Sequence, residues 1–141
     1  MKAMSNSTNP KDLVGAKKPN LALIPAVGLL HAAMALMNGA FKYEPFNWRQ
    51  EDKKVGMMTY IAAIERHAQL FKDGENVAED TLVHHLGHIA AGAMLLLDAI
   101  ESGQAVDDRP LPGKAGEVMA RLEKEYKEKM LPLWESKRNA K

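Results

Sequence analysis

From Leu21 to Met37 the chain is apolar on nearly every side of any helix it could form, interrupted only by Pro25, Gly28 and His31. A helix with no polar face has to be buried by its neighbours, so this segment fixes the centre of the fold. It is too short and too interrupted for a membrane span. Pro25 suits the first turn of a helix and Gly39 its exit, which predicts a central helix over Pro25–Asn38. Two neighbouring helices cannot cover a wholly apolar cylinder, so a homo-oligomer is expected as well.

Two further helices follow from spacing. Met57, Ile61, Ile64, Ala68 and Phe71 recur at helical intervals and Gly74 can end the turn, giving a helix over Met57–Asp73. Leu82, Leu86, Ile89, Ala93, Leu96, Leu97 and Ile100 give a third, read as Asp80–Glu101 with Glu79 and Asp80 favouring its dipole and Gly103 closing it. Its Gly87, Ala90, Ala91 and Gly92 permit close backbone approach and would suit a helix from another subunit. Lys42–Lys54, carrying Pro45 and several aromatic side chains, reads as an ordered loop. Beyond Pro110 and Pro112 a charged segment, Ala115–Met130, places Val118, Leu122, Tyr126 and Met130 on one side, as a peripheral helix would. No strand alternation or internal repeat is present, so the expected fold is all-α, a compact bundle of three core helices without a sheet, plus a peripheral C-terminal helix. The expected division is a disordered leader at 1–8, a helical domain at 9–110, and a charged helix and tail at 111–141.

Composition removes several functions. Nineteen Lys and Arg against eighteen Asp and Glu leave a formal charge of +1, which argues against duplex nucleic acid as partner. With no cysteine, a metal would have to be held by His, Asp or Glu, and the simplest residence is the cytoplasm. No membrane-spanning or secretory segment is apparent. A Gly-rich phosphate loop, a serine nucleophile motif and a His-Asp dipeptide are all missing.

What stands out is the run Asp80, Thr81, Leu82, Val83, His84, His85, Leu86, Gly87, His88, which holds three of the five histidines. On a helix His88 neighbours His84 or His85, and Asp98 continues the stripe. His67, at the edge of the second helix's apolar face, could meet His85 or His88 there, while the adjacent Arg66 diverges from it by roughly a hundred degrees. A lone helix histidine is ordinarily a satisfied, inert one, and His31 is read so; clustering is what favours function for the others. Glu79 reads as a helix cap, and Glu75, directly after Gly74, can turn back toward the bundle. Cations suited to phosphate lie beside helix ends and loops, namely Lys11, Lys17, Lys18, Lys42, Arg49, Arg66 and Arg109, and Tyr43, Phe46 or Trp48 could stack a base.

Asn9-Pro10-Lys11, Leu23-Ile24-Pro25, Gly39-Ala40, Lys42-Tyr43, Asn47-Trp48-Arg49, Arg66-His67, Gly74-Glu75, Asp80, His84-His85-Leu86-Gly87-His88, Leu96-Leu97-Asp98 and Asp107-Asp108-Arg109-Pro110 together resemble a family of phage proteins, the dATP/dGTP diphosphohydrolase-like N-terminal domains. The resemblance spans Asn9 to Pro110 and implies a distant kinship with all-α nucleoside triphosphate pyrophosphohydrolases. It implies a nucleotide pocket drawing on Lys11, Lys18, Lys42, Tyr43, Asn47, Trp48, Arg49, Arg66, His67, His84, His88 and Arg109. The Glu-Glu-x-x-Glu and Glu-x-x-Asp patterns that hold magnesium in the pyrophosphohydrolases are not present in this chain, where Glu65 stands alone on the second helix.

Two functions follow, beside the remaining alternative of a purely structural or partner-binding helical protein. As an enzyme, the protein would split a purine dNTP into dNMP and pyrophosphate with a divalent metal, Mg or Mn, held by Glu75, Asp80, His85, His88 and Asp98, and with His85 and Glu75 as catalytic groups. As a non-catalytic sponge in the infected host cytosol, it would need no metal and would sequester a host immune signalling nucleotide through donors and stacking groups alone.

Overall fold

The computed structural model describes residues 8–141, so all but Thr8 of the expected leader lies outside the described residues. The chain divides into two compact units, the first ending at Asp108 and the second running from Arg109 to Lys141. The fold is mostly helical. In the first unit a short α1 (Pro10–Gly15) is capped by the Asn9 side chain, and a 3-10 turn over Leu21–Leu23 leads into α2 (Ala26–Tyr43). Helices α3 (Met57–Lys72) and α4 (His85–Glu101) complete the core, with α4 packed against both α2 and α3.

Two boundaries differ from the sequence expectation. Helix α2 runs through Gly39 to Tyr43, because nothing before Pro45 opposes it; the residue ahead of a proline is driven from helical geometry, and Glu44 leaves with φ 86°. Asp80 does not open α4. Leu82 sits in the left-handed region with φ 59°, and Val77 pairs antiparallel with His84, so 77–84 form a tight loop and the helix starts at His85. His84, rather than Glu79, supplies the cap, its Nδ1 accepting the Leu86 N–H at 3.0 Å. Gly74 and Gly103, both with positive φ, follow α3 and α4 as expected.

A two-residue parallel pair, β1 (Val55–Gly56) and β2 (Ala105–Val106), also corrects the expectation of no sheet. It returns the chain after α4 to the start of α3, where Asp108 Oδ1 accepts the Met58 N–H at 2.9 Å in place of a side-chain cap from Gly56.

The buried core is built of small side chains. Ala32, Ala35, Val83 and Ala91 join α2 to α4, and Val55, Leu96 and Ala99 join α4 to the strand pair and α3. At Gly87 a Cβ would stand 2.6 Å from the His31 carbonyl oxygen, and at Gly92 one would stand 3.2 Å from Ile64. The small-residue stripe on α4 thus serves α2 and α3 of its own chain rather than a second subunit.

In the second unit, α5 (Ala115–Glu125) passes through a π turn (Tyr126–Met130) into α6 (Leu131–Asn139), longer than the helix ending at Met130 that the sequence suggests. Pro132 explains the wide turn: its ring would clash with the carbonyl four residues back in regular α geometry, and Leu131 N–H reaches Tyr126 instead. Among the described residues no helix is long and apolar enough to cross a membrane.

Candidate functional site

A cleft of about 490 Å³ opens between α2, α3 and α4, a volume suited to a small organic ligand. Its wall combines polar side chains, Arg66 and His67 from α3, His88 from α4, Lys42 from α2 and the loop residues Asp80 and Thr81, with the aromatic Tyr43, Tyr60 and Trp48 and with Asn47, Leu95 and Ile64. Tyr60 lies seven residues before His67, on the same face of α3, so helical spacing could have found it. Burial, and secondarily Tyr43, pushes the Tyr60 phenol up and keeps it protonated.

The histidines meet around His67. His67 and His88 stack with ring centroids 4.4 Å apart and planes only 10° from parallel. The His67 Nδ1 lies 2.8 Å from the His85 Nδ1, and the His85 Nε2 lies 2.8 Å from the Glu75 carboxylate. His85 is fully enclosed. The loop makes this arrangement possible: the His85 N–H donates to the Asn76 carbonyl, which seats Glu75 next to the first turn of α4. His88 Nε2 in turn lies 2.8 Å from the Thr81 hydroxyl, a partner that no helical spacing would suggest because it comes from the loop.

Burial lowers the pKa of both cleft histidines. Around His67, His85 and Arg66 add to the lowering and Asp80 opposes it; around His88, His67, His85 and Lys42 add and Asp80 opposes. Both rings are therefore neutral at pH 7 and act as hydrogen-bonding groups there rather than as phosphate-neutralising cations.

The remaining candidates are used elsewhere. The Arg49 guanidinium grips Asp98 with two bonds, Nε to Oδ2 at 2.5 Å and Nη2 to Oδ1 at 2.7 Å, and the Trp48 indole N–H donates to the same carboxylate at 2.7 Å. These contacts hold the 3-10 turn Asn47–Arg49 against α4 and set the indole in the cleft wall. Arg49 and Trp48 hold the Asp98 carboxyl well below its ordinary value of 3.8, at about 2. His84 caps α4 with its ring between His31 and Phe71. Lys11 lies on α1 and Lys18 just after it, both exposed and neither in the cleft wall, and Arg109 opens the second unit. Of the twelve side chains expected to bind nucleotide, Lys42, Tyr43, Asn47, Trp48, Arg66, His67 and His88 come together in one wall.

Fold and cleft define a mostly helical domain with a ligand-sized cleft whose wall joins cations and imidazoles to aromatic side chains. Over residues 8–109 the chain matches the family described as dATP/dGTP diphosphohydrolase, N-terminal, and it belongs to that family. No curated protein and no solved structure matches it. Membership implies a phosphohydrolase, and the side chains here do not fit the divalent metal expected from the sequence. Glu75 is taken by His85 and Asp98 by Arg49 and Trp48, and among the described residues no three His, Asp or Glu side chains are grouped as a metal site would require.

Proposed function

We propose that the protein binds a purine nucleotide in this cleft, with the base among Tyr43, Trp48 and Tyr60 and the phosphates toward Lys42 and Arg66, and that it holds the nucleotide without hydrolysing it. The observation that carries the reading is the make-up of the cleft wall: two cations and three aromatic side chains within one nucleotide-sized volume. Hydrolysis by the metal route needs carboxylates converging on the phosphates, and only Asp80 stands in the cleft wall. On this reading the protein is a sponge that sequesters a signalling nucleotide of an infected cell rather than turning it over.

Calorimetric titration with dATP, dGTP and cyclic nucleotides, each with and without Mg²⁺, tests this. The expected result is binding with and without metal, weakened about ten- to a hundredfold by Arg66→Ala, which removes a charge-assisted donor. Conversion of dATP or dGTP to the monophosphate by the purified protein would establish the second reading, favoured by family membership, of an active diphosphohydrolase.

A further inference from the structure

Glu75 and His85 form a pair that the binding reading leaves unused: a fully enclosed imidazole cannot touch a ligand, yet both its nitrogens are engaged. The chain of bonds has a direction. An ionised carboxylate only accepts, so His85 must carry its proton on Nε2, and in the neutral ring Nδ1 is then a bare acceptor. With a single proton on His85, His67 donates from Nδ1, which leaves its own Nε2 without a proton. His67 belongs to the cleft wall, stacked on His88. We propose that Glu75 and His85 are positioning residues that fix His67 in the Nδ1–H tautomer, so that its Nε2 serves the cleft as a hydrogen-bond acceptor and selects nucleotides bearing an O–H or N–H donor at that point. The inference rests on the nucleotide reading for its ligand and on the hydrogen-bond chain for its mechanism. The donor is either a sugar hydroxyl or the exocyclic amine of the base.

Long-range ¹⁵N–¹H correlation of the imidazoles in the full-length protein reads the tautomers directly, without ligand. The expected result is His67 with Nε2 unprotonated and His85 with Nδ1 unprotonated. Glu75→Gln, which keeps an acceptor oxygen, retains that pattern, and Glu75→Leu leaves His67 a mixture of tautomers. An Nε2–H tautomer at His67, or a doubly protonated His85, overturns the relay. Affinities for ATP, dATP, 2′,3′-dideoxy-ATP and the 6-unsubstituted purine riboside triphosphate then locate the donor. Losing the donor that meets His67 costs about three- to tenfold in the wild type, the range of one neutral hydrogen bond, and nothing in His67→Phe. If all four bind alike to the wild type, the acceptor role is wrong. If none binds while the tautomers are as expected, the nucleotide reading falls and with it the selection of nucleotides, and the relay alone remains.

Discussion

Asp98 anchors the Trp48 side of the cleft's aromatic wall. It lies partly exposed on α4, yet it holds both the guanidinium of Arg49 and the indole of Trp48, forty-nine and fifty residues earlier in the chain. Because its folded pKa, about 2, lies below the ordinary 3.8, its contribution to stability is complete above the ordinary value and is lost as the pH falls through about 2. The difference in melting temperature between wild type and Asp98→Asn is therefore expected to be constant at neutral pH and to close across that acid window. The indole N–H resonance of Trp48 is expected to shift in the variant as the turn loosens. His67 and His88 act at higher pH with the same sign. The unfolded chain takes up protons near 6.5 while the half-buried rings resist, so stability is complete above that value and falls as the pH drops below it. Melting curves collected from neutral pH downward check this, and the slope below 6.5 is expected to flatten in His88→Gln.

At the scale of elements, Gly87 sets how closely α4 approaches α2. Alanine there meets a backbone carbonyl at 2.6 Å, which cannot rotate away, so the helices must separate. Overpacking of this kind costs about 1–3 kcal/mol, against a gain of about 1 kcal/mol in helix propensity. Gly87→Ala is expected to lower Tm by a few degrees, and Gly28→Ala, where the added Cβ meets only the Pro25 ring at 3.7 Å, to leave it unchanged or raised. Equal Tm changes in the two variants would mean that the α2–α4 contact is not tight. The three core helices were legible in the sequence because their apolar residues keep a 3.6-residue period, and the meeting of His67 with His85 and His88 followed from that period too. The start of α4 was not legible, since Leu82 adopts a left-handed conformation only in a loop closed by the Val77–His84 bridge. Two-residue strands carry no period, and the Arg49–Asp98 pair leaves no mark in local sequence. That pair is also why Arg49, expected at a phosphate, instead holds the wall beside it.

For the whole molecule, the distribution of apolar side chains is inverted relative to an ordinary monomer. The buried core is largely alanine, whereas Val27, Leu30, Met34, Met37 and Phe41 stand from 50% (Met34) to 92% (Phe41) exposed on α2. Their spacing is three, four, three, four, the interval that lines one seam of a helix packed lengthwise on another, and no charge interrupts it. Cleft residues of α2, such as Ala35, Asn38, Gly39 and Lys42, interleave with the seam positions and leave all five free of the cleft wall. Self-association along α2 would bury the seam and leave the ligand site open. We therefore expect the protein to be a dimer or larger oligomer at micromolar concentration, with the seams of two copies in contact. Light scattering coupled to size exclusion measures this, alongside a Leu30→Glu, Met37→Glu double variant that places two charges in the middle of the seam. The variant is expected to be monomeric with its helical circular dichroism intact, because both positions are already exposed within one copy and their replacement disturbs no internal packing. A wild type that is monomeric at tens of micromolar, or a double variant of unchanged size, would place the contact elsewhere or remove it.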